Sequence, residues 1–270
     1  MALSILNNIP SLAAQNQLAI TSAGLQRTLF RLSSGSRINS GADDAAGLAI
    51  ADGLRANITA LSQSARNAND GIGSLQVADG ALAQVTTLLN RAVTLATEAA
   101  TGTVSSAQRS ALDTEFTAIK AEIDRIGTNT TFNGTSVFTA STTSIFLSDA
   151  GSNSTITSSV GTLSSSGLSL SGDLTTATSA ETALSQINSA IGAVAGDRGD
   201  LGATINRLQA AVNVMQNQVQ NLSAAEDGIR AADIGQEVGN LAKFNILNQT
   251  GTAALAQANA MQQSVLALLR

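Results

Sequence analysis

Between residues 51 and 100 apolar side chains recur at steps of three and four. The series is Ala51, Leu54, Ile58, Leu61, Ala65, Ala68, Ile72, Leu75, Leu82, Leu89, Val93, Ala96 and Ala100, with Asp79 and Thr86 as its polar exceptions. That spacing keeps one face of an α-helix apolar, and a run so long without internal caps reads as coiled coil. At 1.5 Å per residue the segment 44–100 would extend roughly 85 Å. A stripe of this kind must be buried against other helices, because an isolated helix is marginal in water.

Three other stretches carry the same signature. Leu184, Ile187, Ile191, Val194, Leu201, Ile205, Leu208, Val212, Met215, Val219 and Leu222 form a return seam that only Arg198 interrupts. The final helix carries a heptad seam of Phe244, Leu247, Gly251, Ala254, Ala258, Met261, Val265 and Leu268. Its small residues Gly251, Ala254 and Ala258 would let a partner's backbone come close. Residues 3–37 read as an amphipathic helix with two stripes, one of Leu18, Leu25, Leu29 and Leu32, the other of Ile5, Ile9, Leu12, Ala19, Ala23 and Phe30. Pro10 fits only near a helix start or a kink. Two stripes on one helix imply burial on more than one side. The chain is 43% hydrophobic but only 2% aromatic, and it holds a single proline. A large enzyme core would ordinarily use rings, since each buries a large area; long helices packed side by side do not need them.

The connections are legible too. Residues 34–41 break the first helix, and Asp43 and Asp44 supply carboxylates for the start of the next. Gly102 ends the long helix. Ser105 or Ser106 can cap a shorter one whose seam is Leu112, Phe116, Ile119, Ile123 and Ile126, ending at Gly127. The short connection predicts that it folds back antiparallel. Residues 128–180 turn to Ser, Thr and Gly, with β-type runs at 143–147 and 154–160 and turn signals at Asn133-Gly134 and at 149–151. One or two hairpins are expected there.

The expected fold is therefore mainly α: a long antiparallel coiled-coil helical bundle formed by the N- and C-terminal halves, with a small β-hairpin region in the middle. The expected division is 1–42 as the first terminal helix, 43–180 as long helix, return helix and hairpins, 181–225 as the returning long helix, and 226–270 as the last terminal helix.

Little in the chain suggests chemistry. It has no His and no Cys, so the usual nucleophile–base pairs and zinc sites cannot be assembled, and neither enzyme nor cofactor is expected. Asp43 and Asp44 read as helix capping, because neighbours on a helix do not face each other. The glycine-rich stretch 199–204 lies inside a helical seam, with no preceding strand and no Lys-Ser/Thr, which disfavours a phosphate cradle. Glu122, Asp124 and Arg125 read as a solvated face with local ion pairs. A net charge of −5 without a basic stripe disfavours nucleic acid. No run is long enough to span a membrane. The first residues show neither a basic n-region nor a continuous apolar h-region, so no Sec signal is expected.

The segment 32–47, Leu-Ser-Ser-Gly-Ser-Arg-Ile-Asn-Ser-Gly-Ala-Asp-Asp-Ala-Ala-Gly, resembles the N-terminal signature of bacterial flagellins. So do Asn-Ala-Asn-Asp-Gly-Ile at 67–72, Thr-Phe-Asn-Gly at 131–134 and Gly-Asp-Leu-Gly-Ala at 199–203, and the close at 255–259 and 265–270 is similar to the flagellin C-terminus. The likeness covers roughly the first 135 and last 90 residues, in order, leaving out the central loop.

This resemblance implies a self-assembling subunit of the flagellar filament. In that family the terminal helices pair as an inner tube, and the long helices form an outer tube. The resemblance makes Leu18, Leu25, Leu29, Leu32, Phe244, Leu247, Ala254, Ala258, Met261, Val265 and Leu268 the self-assembly residues of the inner tube. It implies export of the unfolded chain through the flagellar type III channel, a secretion chaperone on the C-terminal helix, and contacts with filament cap and hook-junction proteins. The insertion is too short for the extra outer domains of longer flagellins. Flagellins recognised by the host flagellin-sensing toll-like receptor present an Arg and a Leu on the long helix and a Glu on the next; Arg91, Leu95 and Glu115 match. Asn90 stands where Gln is usual there, and Val93-Thr94 where Arg-Glu is usual. Leu95 is expected to lie off the main stripe, although packing against the 112–126 helix would account for it equally. The alternatives are a hook–filament junction protein, which shares the terminal helices, and a secreted coiled-coil effector or adhesin.

Overall fold

The computed structural model describes residues 7–140, 142–148 and 154–268, with side chains as far as Met261. Ile5 of the second N-terminal stripe and the turn signal at 149–151 lie outside the described residues. The element order is α1 (Ile9–Ser34), α2 (Ala45–Ala100), α3 (Ser106–Asn129), β1 (Thr131–Phe132), β2 (Thr135–Ser136), β3 (Thr143–Phe146), β4 (Thr155–Ser158), α4 (Ala177–Arg230) and α5 (Ile234–Leu268). The chain is mainly helical, its N- and C-terminal helices pack together, and small hairpins occupy the middle, as expected. It divides into two compact units: residues 57–220, and a terminal unit of residues 1–56 with 221–270.

In the 57–220 unit α2 and α4 share a core of Leu82, Leu89, Ile187, Val194 and Leu208, all essentially buried. Asp79 and Arg198, the polar breaks in the two seams, meet: Arg198 Nε donates to Asp79 Oδ1 at 2.7 Å. One interruption explains the other.

The phase of the seam differs from the expected one. After Leu75, Leu82 and Leu89 the core takes a step of three, to Ala78, Val85 and Ala92, and closes on Ala96 and Ala99. Asp79, Thr86, Val93 and Ala100, expected on the stripe, sit half-buried at its margin. α4 does the same, burying Ala183 and Ala190 where Leu184 and Ile191 were expected. Steps of three and four both preserve a helix face, and hydropathy ranks Leu or Ile above Ala. The closest approach of two backbones favours the smaller side chain. Leu95 follows the same phase: it is 1% exposed, in the core with Leu89, Ala92 and Ala99, not off the stripe.

α3 begins with a capping box in which Ser105 and Gln108 each hold the other's backbone amide. Arg109 reaches back to the carbonyls of Ala99 (2.7 Å) and Thr101 (2.9 Å) and thereby caps the end of α2. Phe116, Ile119 and Ile123 are buried, as the seam predicts. Glu122 and Arg125 form the local ion pair, whereas Asp124 turns to the central loop, accepting the Ser165 amide (2.7 Å) and hydroxyl (2.9 Å).

The polar middle is packed against the helices. Asn133 and Gly134 both have positive φ, 50° and 77°, and turn β1 into β2. β3 and β4 pair antiparallel with Ile145 opposite Ile156. Ile145 sits over Gly71 of α2, where a Cβ would overlap its side chain. Ser64 donates to the Ser148 carbonyl at 3.1 Å in a buried contact. Leu163, Leu170 and Leu174 are buried along the segment that leads to α4.

Candidate functional site

The terminal unit is organised around a reversal of the chain. α1 ends at Gly35, whose φ of 68° lies in the left-handed region that glycine occupies without a Cβ clash. Ser36 then forms a bridge with Ala231. The Arg37 amide donates to the Arg230 carbonyl at 2.6 Å, and the Ala232 amide donates to the Gly35 carbonyl at 3.0 Å. Arg37 Nη2 donates to the Ile229 carbonyl at 2.9 Å. The Ile229 and Arg230 carbonyls belong to the last turn of α4, whose closing carbonyls lack helical donors. Ile38 is buried.

The two adjacent aspartates divide the remaining work. Asp43 Oδ2 accepts the Asn39 amide (3.3 Å) and the Ser40 amide and hydroxyl (3.1 Å each). These bonds, the Asn39 amide foremost, hold its carboxyl below the usual range. Asp44 Oδ1 accepts the Gly47 amide at 2.8 Å and caps α2. A Cβ at Gly47 would stand 2.6 Å from Asp44 Oδ2 and 2.8 Å from Ile38 Cδ1, so a larger residue there would push both side chains aside. The 32–47 signature is thus a clamp joining the end of α1 and the start of α2 to the α4–α5 junction.

α1 and α5 pair antiparallel. Arg31 faces Glu237 (3.5 Å) of α5 and Asp43 (3.7 Å) of the clamp. Farther along, the Phe244 ring lies over Gly24, and Leu18 reaches Gly251. Ser11 Oγ donates to Asn259 Oδ1 at 3.0 Å. Asn8 caps α1 through the Ser11 amide (3.0 Å) while its Nδ2 donates to the Ala258 carbonyl at 3.3 Å. The fully buried residues of α1 are Ser11, Thr21 and Thr28, all polar. Many large apolar side chains face away: Ile9, Leu12, Ile20, Leu29 and Phe30 on α1, and Ile234, Val238, Ile246, Leu247 and Met261 on α5, with Phe30 63% and Ile246 61% exposed.

The expected assembly residues therefore fall into two groups. Leu18, Leu25 and Leu32 are half-buried in the seam, together with Phe244 and Ala258. Leu29, Leu247, Ala254 and Met261 are exposed. The side chains of Val265 and Leu268, on the last turns of α5, lie outside the described residues. Thr28 occupies the seam position next to Leu29, and on α5 the seam steps from Phe244 to Asn248 and from Gly251 to Leu255. Sequence reasoning missed Ser11, Thr21, Gly24, Thr28, Glu237 and Asn259. The spacing 11-14-18-21-25-28-32 would have shown Ser11, Thr21 and Thr28 had Ser and Thr been admitted to the stripe.

On the other unit Arg91 and Glu115 form a two-pronged pair, Nε to Oε1 at 2.7 Å and Nη2 to Oε2 at 3.0 Å. The Arg91 hydrogen bond holds the Glu115 carboxyl low, and Glu115 in turn raises the guanidinium. Both are exposed, while Leu95 is buried. Among the described residues no three metal-ligating side chains cluster, and no helix is long and apolar enough to cross a membrane.

Residues 5–143 match the family model for the bacterial flagellin N-terminal helical region, and residues 184–269 match that for the C-terminal helical region. The intervening segment holds the β3–β4 hairpin and the packed loop. The chain is 38% identical over 269 residues to a flagellin of Halalkalibacterium halodurans, covering 98% of both chains. It is 35% identical over 287 residues to the flagellar filament 33 kDa core protein of Treponema phagedenis, covering 98% of this chain and 99% of that one. Among solved structures it resembles Bacillus cereus flagellin with a TM-score of 0.51 at 32% identity, over 60% of this chain and 94% of that one.

Proposed function

Because this chain belongs to the bacterial flagellin family, and so is a structural, non-enzymatic subunit of the extracellular flagellar filament, we propose that its terminal helices carry out assembly by a division of faces. The inward seam of α1 and α5, where small and polar residues stand among Leu18, Leu25, Leu32 and Phe244, sets how the two helices lie together. The outward stripes are the surface that neighbouring subunits bury. The observation that carries this reading is the inversion: Ser11, Thr21 and Thr28 buried, with Ile9, Leu12, Ile20, Phe30, Ile246 and Met261 exposed. A helix pair of this kind leaves large apolar side chains in water on both helices. Burial against further copies would recover roughly 25 cal/mol per Å².

In this reading residues 1–42 and 226–270 form the inner tube, and residues 43–180 and 181–225 form the outer one. Leu29, Leu247, Ala254 and Met261 act between subunits, with Val265 and Leu268 continuing the same helix. Leu18, Leu25, Leu32, Phe244 and Ala258 act mainly within one subunit. The same exposed face of α5 suits a secretion chaperone that covers it before export as an unfolded chain through the type III channel. It suits filament cap and hook-junction proteins that meet the terminal helices at the filament's ends. For the host flagellin-sensing receptor the surface on offer is the Arg91–Glu115 pair, with Leu95 supporting it from beneath.

The test is electron microscopy of purified protein seeded with filament fragments, beside a truncation ending at Lys243. The full chain is expected to grow long tubes of uniform diameter, and the truncation none. Short caps or monomers from the full chain would instead indicate a junction protein or a soluble helical effector.

A further inference from the structure

The α1–α5 seam holds two knob-and-notch pairs that point in opposite senses. The knob Phe244 projects from α5 into a notch at Gly24 of α1, where a Cβ would stand 2.7 Å from two ring carbons. The knob Leu18 projects from α1 toward Gly251 of α5, where a Cβ would stand 3.2 Å from its Cδ1. Each helix thus offers one knob and one notch. The ends of the seam are fixed by polar pairs, Ser11 with Asn259 at 3.0 Å and Arg31 with Glu237 at 3.5 Å.

We propose that Gly24 and Phe244, with Leu18 and Gly251, form a register lock, and that the register they impose brings the outward stripes of α1 and α5 into the one alignment that neighbouring copies can bury. This rests on the division of faces proposed above. A slip of one heptad would set Phe244 against Gln17 in one direction and Arg31 in the other. Neither position has a notch. The same slip would part Ser11 from Asn259 and leave Glu237, 8% exposed, away from its guanidinium. A buried carboxylate without a partner is costly, so the polar ends discriminate against the slip as the glycines do. A seam of uniform leucines would bury more area but would discriminate between registers less, as polar seam positions do in coiled coils.

The chain has no cysteine, so engineered pairs report the register cleanly. In filaments grown from seeds, the S11C/N259C pair is expected to crosslink and the S11C/T252C pair, one heptad away, is not. Gly24→Ala is expected to be mild, because the Phe244 ring can tilt. Gly24→Leu fills the notch and is expected to raise the critical concentration for assembly about tenfold, an overpacking effect. It should also weaken the S11C/N259C crosslink. Adding Phe244→Ala to Gly24→Leu exchanges knob and notch, and should return assembly to within about threefold of the unsubstituted chain.

A Gly24→Leu protein that assembles normally with the original crosslink overturns the lock. So does a double variant that is not rescued, since Gly24 would then act through something other than Phe244. If the unsubstituted chain does not polymerise, the division of faces fails. The crosslink pattern of the single chains still decides the lock.

Discussion

At the scale of single residues, the clamp at 32–47 shows why a stretch with no catalytic logic is nonetheless specified residue by residue. Gly35 is there for its φ, Arg37 for the open Ile229 carbonyl, Ile38 for the core, Asp44 for a helix start and Gly47 for room beside Asp44 and Ile38. Asp43 is the member whose contribution depends on pH. Its folded carboxyl is held below the ordinary value by the Asn39 amide, the Ser40 hydroxyl and amide, and Arg31. A carboxyl lowered by folding stabilises the fold fully above its unfolded value of about 3.9, and that contribution is lost as pH falls through the lower folded value. Protection of the Asn39 and Ser40 amides from hydrogen exchange is therefore expected to persist at pH 5 and to fall only in stronger acid. In Asp43→Ala that protection should be weak at every pH. A pH-independent profile in the unsubstituted chain would contradict the assignment. Asp79 and Arg198 make the opposite case. Both side chains are more than a third exposed, so solvent screens the pair and Arg198→Ala is expected to leave the midpoint of a denaturant melt nearly unchanged.

At the scale of elements, the long helices, their order and the hairpins were legible, because periodicity, caps and turn residues are local signals. The register of Asn133-Gly134, the capping serine at 105 and the end near Gly102 all follow from chemistry within a few residues. Two things were not legible. Whether a stripe steps by three or four depends on how closely two backbones approach, which is why Ala78, Val85 and Ala92 replaced Asp79, Thr86 and Val93. How deeply each residue of the inward face is buried depends on the partner: hydropathy found Leu18, Leu25 and Leu32 on that face but passed over Ser11, Thr21 and Thr28, which lie on it too and are buried more deeply. The polar segment 161–174 was likewise hard to read, since its anchors are three scattered leucines and two carboxylates on α3. Asp113 accepts the Leu174 amide at 2.8 Å and Asp124 holds Ser165. Gly127 completes this docking, for a Cβ there would overlap the Leu163 carbonyl. Gly127→Ala is expected to destabilise the 57–220 unit by about 1–3 kcal/mol. It should also raise hydrogen exchange at the Ser165 and Leu174 amides. A variant with unchanged exchange there would mean that the loop is not held by this contact.

At the scale of the whole molecule, the charges are distributed as unevenly as the apolar faces. Residues 1–26 and 244–269 contain no charged side chain. In the terminal unit the acidic and basic residues balance, so the chain's net charge of −5 falls entirely on residues 57–220. Polymerisation brings many copies of that acidic unit into one particle, and the self-repulsion grows with each neighbour. The stretches 9–26 of α1 and 244–268 of α5 add no comparable term, because they carry no charged side chain. Assembly should therefore behave as a salt-independent attraction opposed by a salt-dependent repulsion. Raising ionic strength from about 10 mM to about 150 mM shortens the Debye length from about 30 Å to about 8 Å. The critical concentration for seeded growth is expected to fall over that range. A variant that neutralises carboxylates on the 57–220 unit, such as Asp197→Asn with Asp200→Asn, should need less salt to reach the same value. Asp197 is a suitable choice because burial, and then Asp200, already raise its carboxyl above the usual range. Folding thus disfavours its charged form, so the substitution should not weaken the subunit. The same two substitutions should leave the salt dependence of α1–α5 crosslinking within a subunit unchanged, since that seam lies in the balanced unit. A critical concentration that rises with salt would show that attraction between charges drives assembly, and the division into a neutral assembling unit and an acidic repelling one would then be wrong.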